Sequence, residues 1–270
     1  MAKKISIITT SYNSGETIRD TLESVLRQTF RDYELIVKDG GSTDDTLAIC
    51  REYEPRFGGR LIIVSEPDKG IYDAMNTGLS IATGDIIGIL NSDDYYTADN
   101  VLQMVADTMR DPMLDAVYGD VHYVSPENLE RCVRYYSSKV FRPSLMRFGF
   151  MPAHPSFYCR KSVYDRYGTF DKRYRIAADF DLLLRFIYLG KIKTKYLPLD
   201  FVTMRTGGVS TSGLRSHLKV LKEHHISLKR NGVKSDYFTS ACRFLYKLKE
   251  LRIGKLRIKN FETVVRRSQL

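Results

Sequence analysis

Two adjacent carboxylates, Asp93 and Asp94, follow Asn91 and Ser92 at the end of a short apolar run, residues 86–90. Neighbouring carboxylates resist joint ionisation unless something positive joins them. A hard divalent cation meets that need, because it takes one or two carboxylates and fills its other positions with water and substrate phosphate. The same four residues would also suit a solvated turn, a place where Asp and Ser are common. The elements that deliver them decide between the two readings.

The run at 86–90 is rich in isoleucine and bounded by Gly84 and Asn91. That pattern predicts a strand buried on both faces, as in a parallel sheet. Three similar runs precede it, at residues 5–10, 34–38 and 60–65. Each is followed by a polar loop and then a helical stretch: residues to about 28 after the first, 46–54 after the second and 71–82 after the third. Asn13, with Glu16 three residues on, has the spacing of a capping box for the first helix. Strand, loop and helix repeating at this spacing predict βαβ units and a parallel sheet with helices on both faces. Right-handed crossovers put all four loops at one edge. Such an edge, with backbone donors, helix N-termini and carboxylates, suits a phosphorylated ligand with a metal. Neither the Gly-x-Gly-x-x-Gly fingerprint nor the Walker pattern is present, which argues against an ordinary dehydrogenase or P-loop NTPase.

After residue 100 the pattern changes. A helix over 101–109 is followed by strands at 115–123 and 131–136, in a mixed or antiparallel extension. An aromatic and basic loop spans 141–151, extended chain 154–158, and a short helix 161–167. A longer helix covers 177–189, with edge strands at 193–196 and 201–206 around Pro198. A loop at 207–211 and two helices broken near Asn231 and Gly232 complete the chain.

The 270 residues carry a net charge of +10, unevenly placed. Residues 215–270 hold 15 basic and 4 acidic side chains. The remainder is close to neutral, so nucleic acid is not an expected partner of the main body. The basic segment reads either as a helix packed on its own domain or as an amphipathic segment on an anionic membrane surface. Cys50, Cys132, Cys159 and Cys242 show no Cys-x-x-Cys spacing, which suits a reducing compartment rather than a zinc or disulfide scaffold. An early strand and the lack of a long apolar run predict neither signal peptide nor membrane span. The expected location is cytoplasmic, peripheral to the inner face of the plasma membrane.

Five segments together resemble family-2 glycosyltransferases. They are residues 7–13 (IITTSYN), 37–44 (VKDGGSTD), 66–76 (EPDKGIYDAMN), 84–94 (GDIIGILNSDD) and 178–182 (ADFDL). The resemblance covers about residues 4–210. It implies the α/β GT-A fold, a nucleotide-diphosphate sugar donor (a UDP-sugar expected), Mn2+ or Mg2+, and inversion at the anomeric carbon. The subset most similar makes bacterial surface polysaccharides, so the expected acceptor is a glycan or lipid-linked glycan. A glycosyltransferase domain is expected over 1–212, with a nucleotide-sugar half at 1–100 and an acceptor half at 101–212. A basic helical extension follows over 213–270. A homo-oligomer stays open.

Residue by residue, the resemblance implies that Thr10, Tyr12 and Asn13 wrap the base and ribose, and that Asp39 accepts from the base. Lys69 meets phosphate. Asp73 and Asn76 face the nucleotide, or else tie their helix to a neighbouring loop. Asn91, Ser92 and Asp93 stand where the family has Asp-x-Asp, with an amide replacing the first carboxylate. The metal then falls to Asp93, with Asp94 as helper. Asp179 matches the family's base, needed because an acceptor hydroxyl is a poor nucleophile at neutral pH. Asp181, two residues along a helix, points elsewhere. His154 would touch diphosphate or acceptor, or be structural; Ser210 would close over the diphosphate. Two rivals are a nucleotidyltransferase that forms nucleotide sugars and a non-catalytic sugar- or membrane-binding member of the fold.

Overall fold

The structure, a computed structural model, describes residues 4–207 and 213–234. Four strands form the parallel half of one twisted sheet: β1 (Ile5–Ser11), β2 (Tyr33–Asp39), β3 (Leu61–Ser65) and β4 (Ile86–Ile89). They lie in the order β3-β2-β1-β4, all parallel. Their side chains alternate between two cores, as the two-residue period of a strand requires. Ile5, Ile7, Leu35, Val37 and Ile86 face a core built with α1 (Ile18–Leu26), α2 (Thr46–Phe57) and α4 (Val101–Thr108). Ile8, Ile36, Ile87 and Ile89 face the other, built with α3 (Ile71–Ile81), α5 (Lys161–Tyr167), α6 (Ala178–Leu183) and α7 (Gly213–Arg230). This sandwiching is why these strands read as unbroken apolar runs.

The second half continues the sheet beyond β4. The remaining strands are β5 (Tyr95–Tyr96), β6 (Ala116–Ser125), β7 (Asn128–Tyr136), β8 (Phe157–Arg160) and β9 (Thr194–Arg205). The order runs β4-β8-β6-β9-β5, with β7 paired to β6. β8 is antiparallel to both neighbours and so joins the two halves. Gly88 makes room for that join. A Cβ there would stand 2.2 Å from the Tyr158 ring. The Tyr158 hydroxyl meets that of Tyr96 at 2.5 Å, both side chains buried.

Several expectations need correction. Asn13 does not cap α1, which begins at Ile18 after Thr17. Asn13 has φ 49°, in the left-handed region, and is turned toward the second loop. The two strands expected around Pro198 are one, β9, paired with β6 in parallel. Its other neighbour, β5, reaches only Val202 and Thr203. Pro198 therefore has no ladder partner to deprive on that side. The expected helix over 177–189 is α6 followed by a π-helical turn, Leu184–Leu189. Among the described residues, Cys50, Cys132 and Cys159 are free thiols, and no helix is long and apolar enough to cross a membrane. The second helix of the basic segment, the anionic-surface reading of residues 235–270, and Ser210 lie outside the described residues.

Candidate active site

The four loops after β1 to β4 meet at one edge, as the crossover argument requires. Ser14 Oγ of the first loop is 2.8 Å from Ser92 Oγ of the fourth. The Ser14 N–H donates to Thr46 Oγ1 and the Gly15 N–H to Asp44 Oδ2, tying the first loop to the second. Asn13 does the same from both ends. Its N–H donates to Ser42 Oγ at 2.8 Å, and its Oδ1 accepts from the Thr43 N–H at 2.9 Å. At Gly40 a Cβ would lie 2.7 Å from Asp68 Oδ2 and 3.3 Å from the Tyr12 ring, so the second loop passes tightly between the first and third. Tyr12 itself is 64% exposed and has an aromatic face to offer.

Asp39, at the end of β2, is fully enclosed. Its Oδ2 accepts from the N–H groups of Gly41 (3.0 Å) and Ser42 (2.9 Å) and from Ser65 Oγ (2.8 Å). Its Oδ1 accepts from Ser11 Oγ and Ser42 Oγ. Burial pushes the carboxyl up, but these donors outweigh it and hold the acid below its usual range. A carboxylate has about four acceptor positions, and five donors already claim them. In this arrangement Asp39 holds the second loop.

Asp73 and Asn76, on α3, are likewise engaged inside the protein. Asp73 accepts from the Lys69 N–H at 3.1 Å and from Lys172 Nζ at 2.8 Å. Lys172 is the main reason its acid strength rises. The Asn76 amide makes a two-way pair with the Phe170 backbone, at 2.8 and 3.0 Å. Both residues tie α3 to the segment before α6, the second of their two expected roles. The Lys69 side chain is exposed in the third loop.

The fourth loop behaves differently. Asp94 is 1% exposed; the Asn91 amide stands 3.5 Å from its carboxylate, and the Arg205 backbone N–H also faces it. Burial, then the neighbouring Asp93, pushes the Asp94 acid well above its ordinary range. Asp93 is half-buried, and burial pushes it up too. Thr10 Oγ1 lies 3.5 Å from Asn91 Oδ1, so the end of β1 backs this loop. Arg205 favours ionisation of both acids but does not offset their burial, so a hard cation fits beside them. Among the described residues no three His, Cys, Asp or Glu side chains converge. A cation would therefore take most of its remaining positions from water and phosphate.

Asp179 lies at the start of α6, as expected, half-buried, its Oδ1 accepting from the Phe180 N–H at 2.8 Å. Asp181 is structural. It is buried and paired with Arg185, Ser227 and Asn231 at 2.8–3.0 Å. His154 is buried against Phe170, and burial lowers its pKa to about 4, so it is neutral at pH 7.

Three positioning residues escape a reading of motifs. Lys38 is 1% exposed, and its Nζ donates to the carbonyls of Asp39 (2.9 Å) and Glu66 (2.7 Å), 3.7 Å from Asp68. A lysine directly after the apolar run of β2 was the signal for it. Arg205, at the end of β9, donates to the Asp93 carbonyl at 2.6 Å and pairs with Asp20. Glu223 of α7 accepts from the backbone just before α6, and a glutamate in a lysine-rich helix gives no signal at all.

A family model described as glycosyl transferase family 2 matches residues 6–167. A PGL/p-HBAD biosynthesis glycosyltransferase of Mycobacterium bovis (strain BCG / Pasteur 1173P2) is 34% identical over 213 residues, which is 78% of this chain and 80% of that protein. A hyaluronan synthase of Pasteurella multocida is 27% identical over 85% of this chain but only 23% of its own length. Among solved structures, S. aureus TarS 1-349 with UDP-GlcNAc has TM-score 0.66 at 20% identity, over 83% of this chain and 66% of that one. The mannosyltransferase PcManGT of Pyrobaculum calidifontis, with GDP-Man and Mn2+, has TM-score 0.64 at 21% identity, over 88% and 68%. These likenesses agree with the observed sheet, a GT-A fold. The chain belongs to glycosyl transferase family 2.

Proposed function

We propose that this chain is an inverting, metal-dependent glycosyltransferase that moves a sugar from a UDP-sugar to a hydroxyl of a glycan or lipid-linked acceptor. The observation that carries the reading is the adjacent half-buried Asp93 and buried Asp94, both pushed up by burial, where the loops after β1 to β4 meet. Asp93 would hold Mn2+ or Mg2+, with Asp94 behind it. When bound, the cation offsets the charge that grows on the leaving diphosphate. Asp179 takes the acceptor proton as the hydroxyl oxygen bonds to the anomeric carbon and the bond to diphosphate breaks. One displacement with one base inverts the centre. Tyr12 and Thr10, with the backbone held by Asn13 and Asp39, form the nucleotide side; Lys69 is the exposed cation beside it. The uridine choice draws on the UDP-GlcNAc complex of a structural relative. The surplus of lysine and arginine over 215–270 supports a role at an anionic membrane face.

The test is UDP release from a panel of nucleotide sugars, with and without Mn2+ or Mg2+. Metal-dependent release from one donor is expected, and Asp179→Asn should lower it by about 100-fold or more. UDP binding without turnover, with or without acceptor, would leave a binding protein of the same fold. Turnover of sugar 1-phosphate and nucleoside triphosphate would replace the reading altogether.

A further inference from the structure

The start of α6 cannot cap itself. Its flanking residue is Ala177, which has no side-chain acceptor, and no side chain caps it locally. The N–H groups there still need partners. Glu223, 46 to 48 residues further on, supplies them. Its carboxylate accepts from Arg175 at 3.2 Å, Ile176 at 3.0 Å and Ala177 at 3.0 Å. The next two amides, of Ala178 and Asp179, face the Tyr72 hydroxyl of α3. The Phe180 N–H goes to Asp179 itself, and the Asp181 N–H to the Ala177 carbonyl.

α7 and the turn after it grip the same helix at three further points. The His224 ring stacks on Phe180, with centroids 3.9 Å apart. Ser227 and Asn231 both donate to Asp181 Oδ1, at 2.8 and 3.0 Å. Positions 223 and 227 are four residues apart and share one face of α7, and Asn231 follows in the turn just past its end. That face is aimed at the backbone and side chains on either side of Asp179.

We propose that Glu223 is a positioning residue for the sugar-transfer step, holding the turn that aims Asp179, with α7 as a clamp on the base-bearing helix. This rests on Asp179 being the base. A base misplaced by an ångström costs rate, not nucleotide affinity, because the nucleotide side of the site is built from the loops after β1 to β4. Glu223→Ala should lower kcat by about 10- to 100-fold. UDP affinity, by calorimetry with Mn2+, and the donor KM should stay within about twofold on the same argument.

The experiment compares full-length wild type, Glu223→Ala, Glu223→Gln and Asp179→Asn. It reads UDP release from whichever of UDP-glucose, UDP-galactose, UDP-N-acetylglucosamine and UDP-glucuronate turns over fastest. It also follows hydrogen exchange at the amides of residues 175–181, which needs no substrate. Glu223→Ala should lose protection there while β1 to β4 keep theirs. Glu223→Gln keeps an acceptor oxygen and should fall between wild type and Ala in both readouts. Unchanged exchange, or unchanged kcat despite lost protection, overturns the clamp. Joint loss of UDP affinity and turnover in Glu223→Gln also overturns it, since the residue would then serve the fold at large. Should Glu223→Ala fail to fold, the Gln variant decides on the same measurements. Full activity in Asp179→Asn would instead defeat the base assignment, whatever Glu223 does.

Discussion

The carboxylate after β2 and the pair after β4 stand at one edge of one sheet, separated only by β1. Asp39 and Asp94 are both almost wholly out of water. Their acid strengths nevertheless move in opposite directions, Asp39 down and Asp94 well up. Desolvation is the largest influence on each, and it opposes ionisation in both cases. The difference lies in the donors. Five reach Asp39, while Asp94 has the Asn91 amide at 3.5 Å and the Arg205 backbone N–H, with a second carboxylate beside it. A buried carboxylate with every lone pair answered is architecture. One held by fewer donors has room for a further positive charge.

The largest effect expected from this contrast is at Asp93. Asp93→Asn should reduce metal-dependent turnover by about 100- to 1000-fold. Its metal-free melting temperature should be equal to or above that of wild type, since one of two crowded like charges is gone. A fall of several degrees would place Asp93 on the architectural side.

Next comes Glu34, a second saturated carboxylate. Burial pushes it up, yet Lys4, Ser6 and Thr83 outweigh that and hold it at about 2 against an ordinary 4.5. A depressed acid stabilises the fold above its unfolded pKa and loses that contribution as pH falls through the folded one. Wild type should therefore lose about 3 kcal/mol between pH 5 and pH 2 from this group. Glu34→Gln should flatten that part of the urea-unfolding profile; an unchanged profile would deny the saturation argument. Asp39→Asn should cost about 2 kcal/mol, because an amide offers hydrogens where N–H and O–H groups already point. Urea midpoints at pH 7 would show it. The smallest effect is at Asp94. Asp94→Asn should gain about 1 kcal/mol without metal, by relief of an unpaired buried charge. A metal-free thermal melt gives the sign, and a loss would mean that the pair is already compensated within the protein.

Most of the parallel half was legible because its signals are local. Apolar runs, loop composition and repeat spacing all act within about 30 residues, and strands and loops fell where they point. The place of Asp179 at a helix start was legible too, while its role as base comes from the resemblance. The roles of Asp73 and Asn76 were left between the nucleotide and a neighbouring loop, because the partners they find, Lys172 and Phe170, are 94 or more residues away. Asn13 misled for a related reason. Its spacing to Glu16 fits a cap, but the second loop, 30 residues on, outbids the local helix for its side chain. Glu223 was invisible because the need it meets belongs to backbone amides, which every sequence carries and none displays.

The junction between β4 and β8 has a consequence for how the chain is made. β1 to β4 emerge from the ribosome in order and can pair as they appear. The far edge of β4, Ile86–Ile89, then waits for a partner that begins only at Phe157. At ordinary synthesis rates that interval is roughly 3 to 14 seconds. For that time the nascent chain carries an open, wholly apolar strand edge, the kind of surface on which neighbouring chains aggregate. The weak point of this enzyme's biogenesis is therefore the middle of its sheet, and it closes only when Phe157–Arg160 arrives.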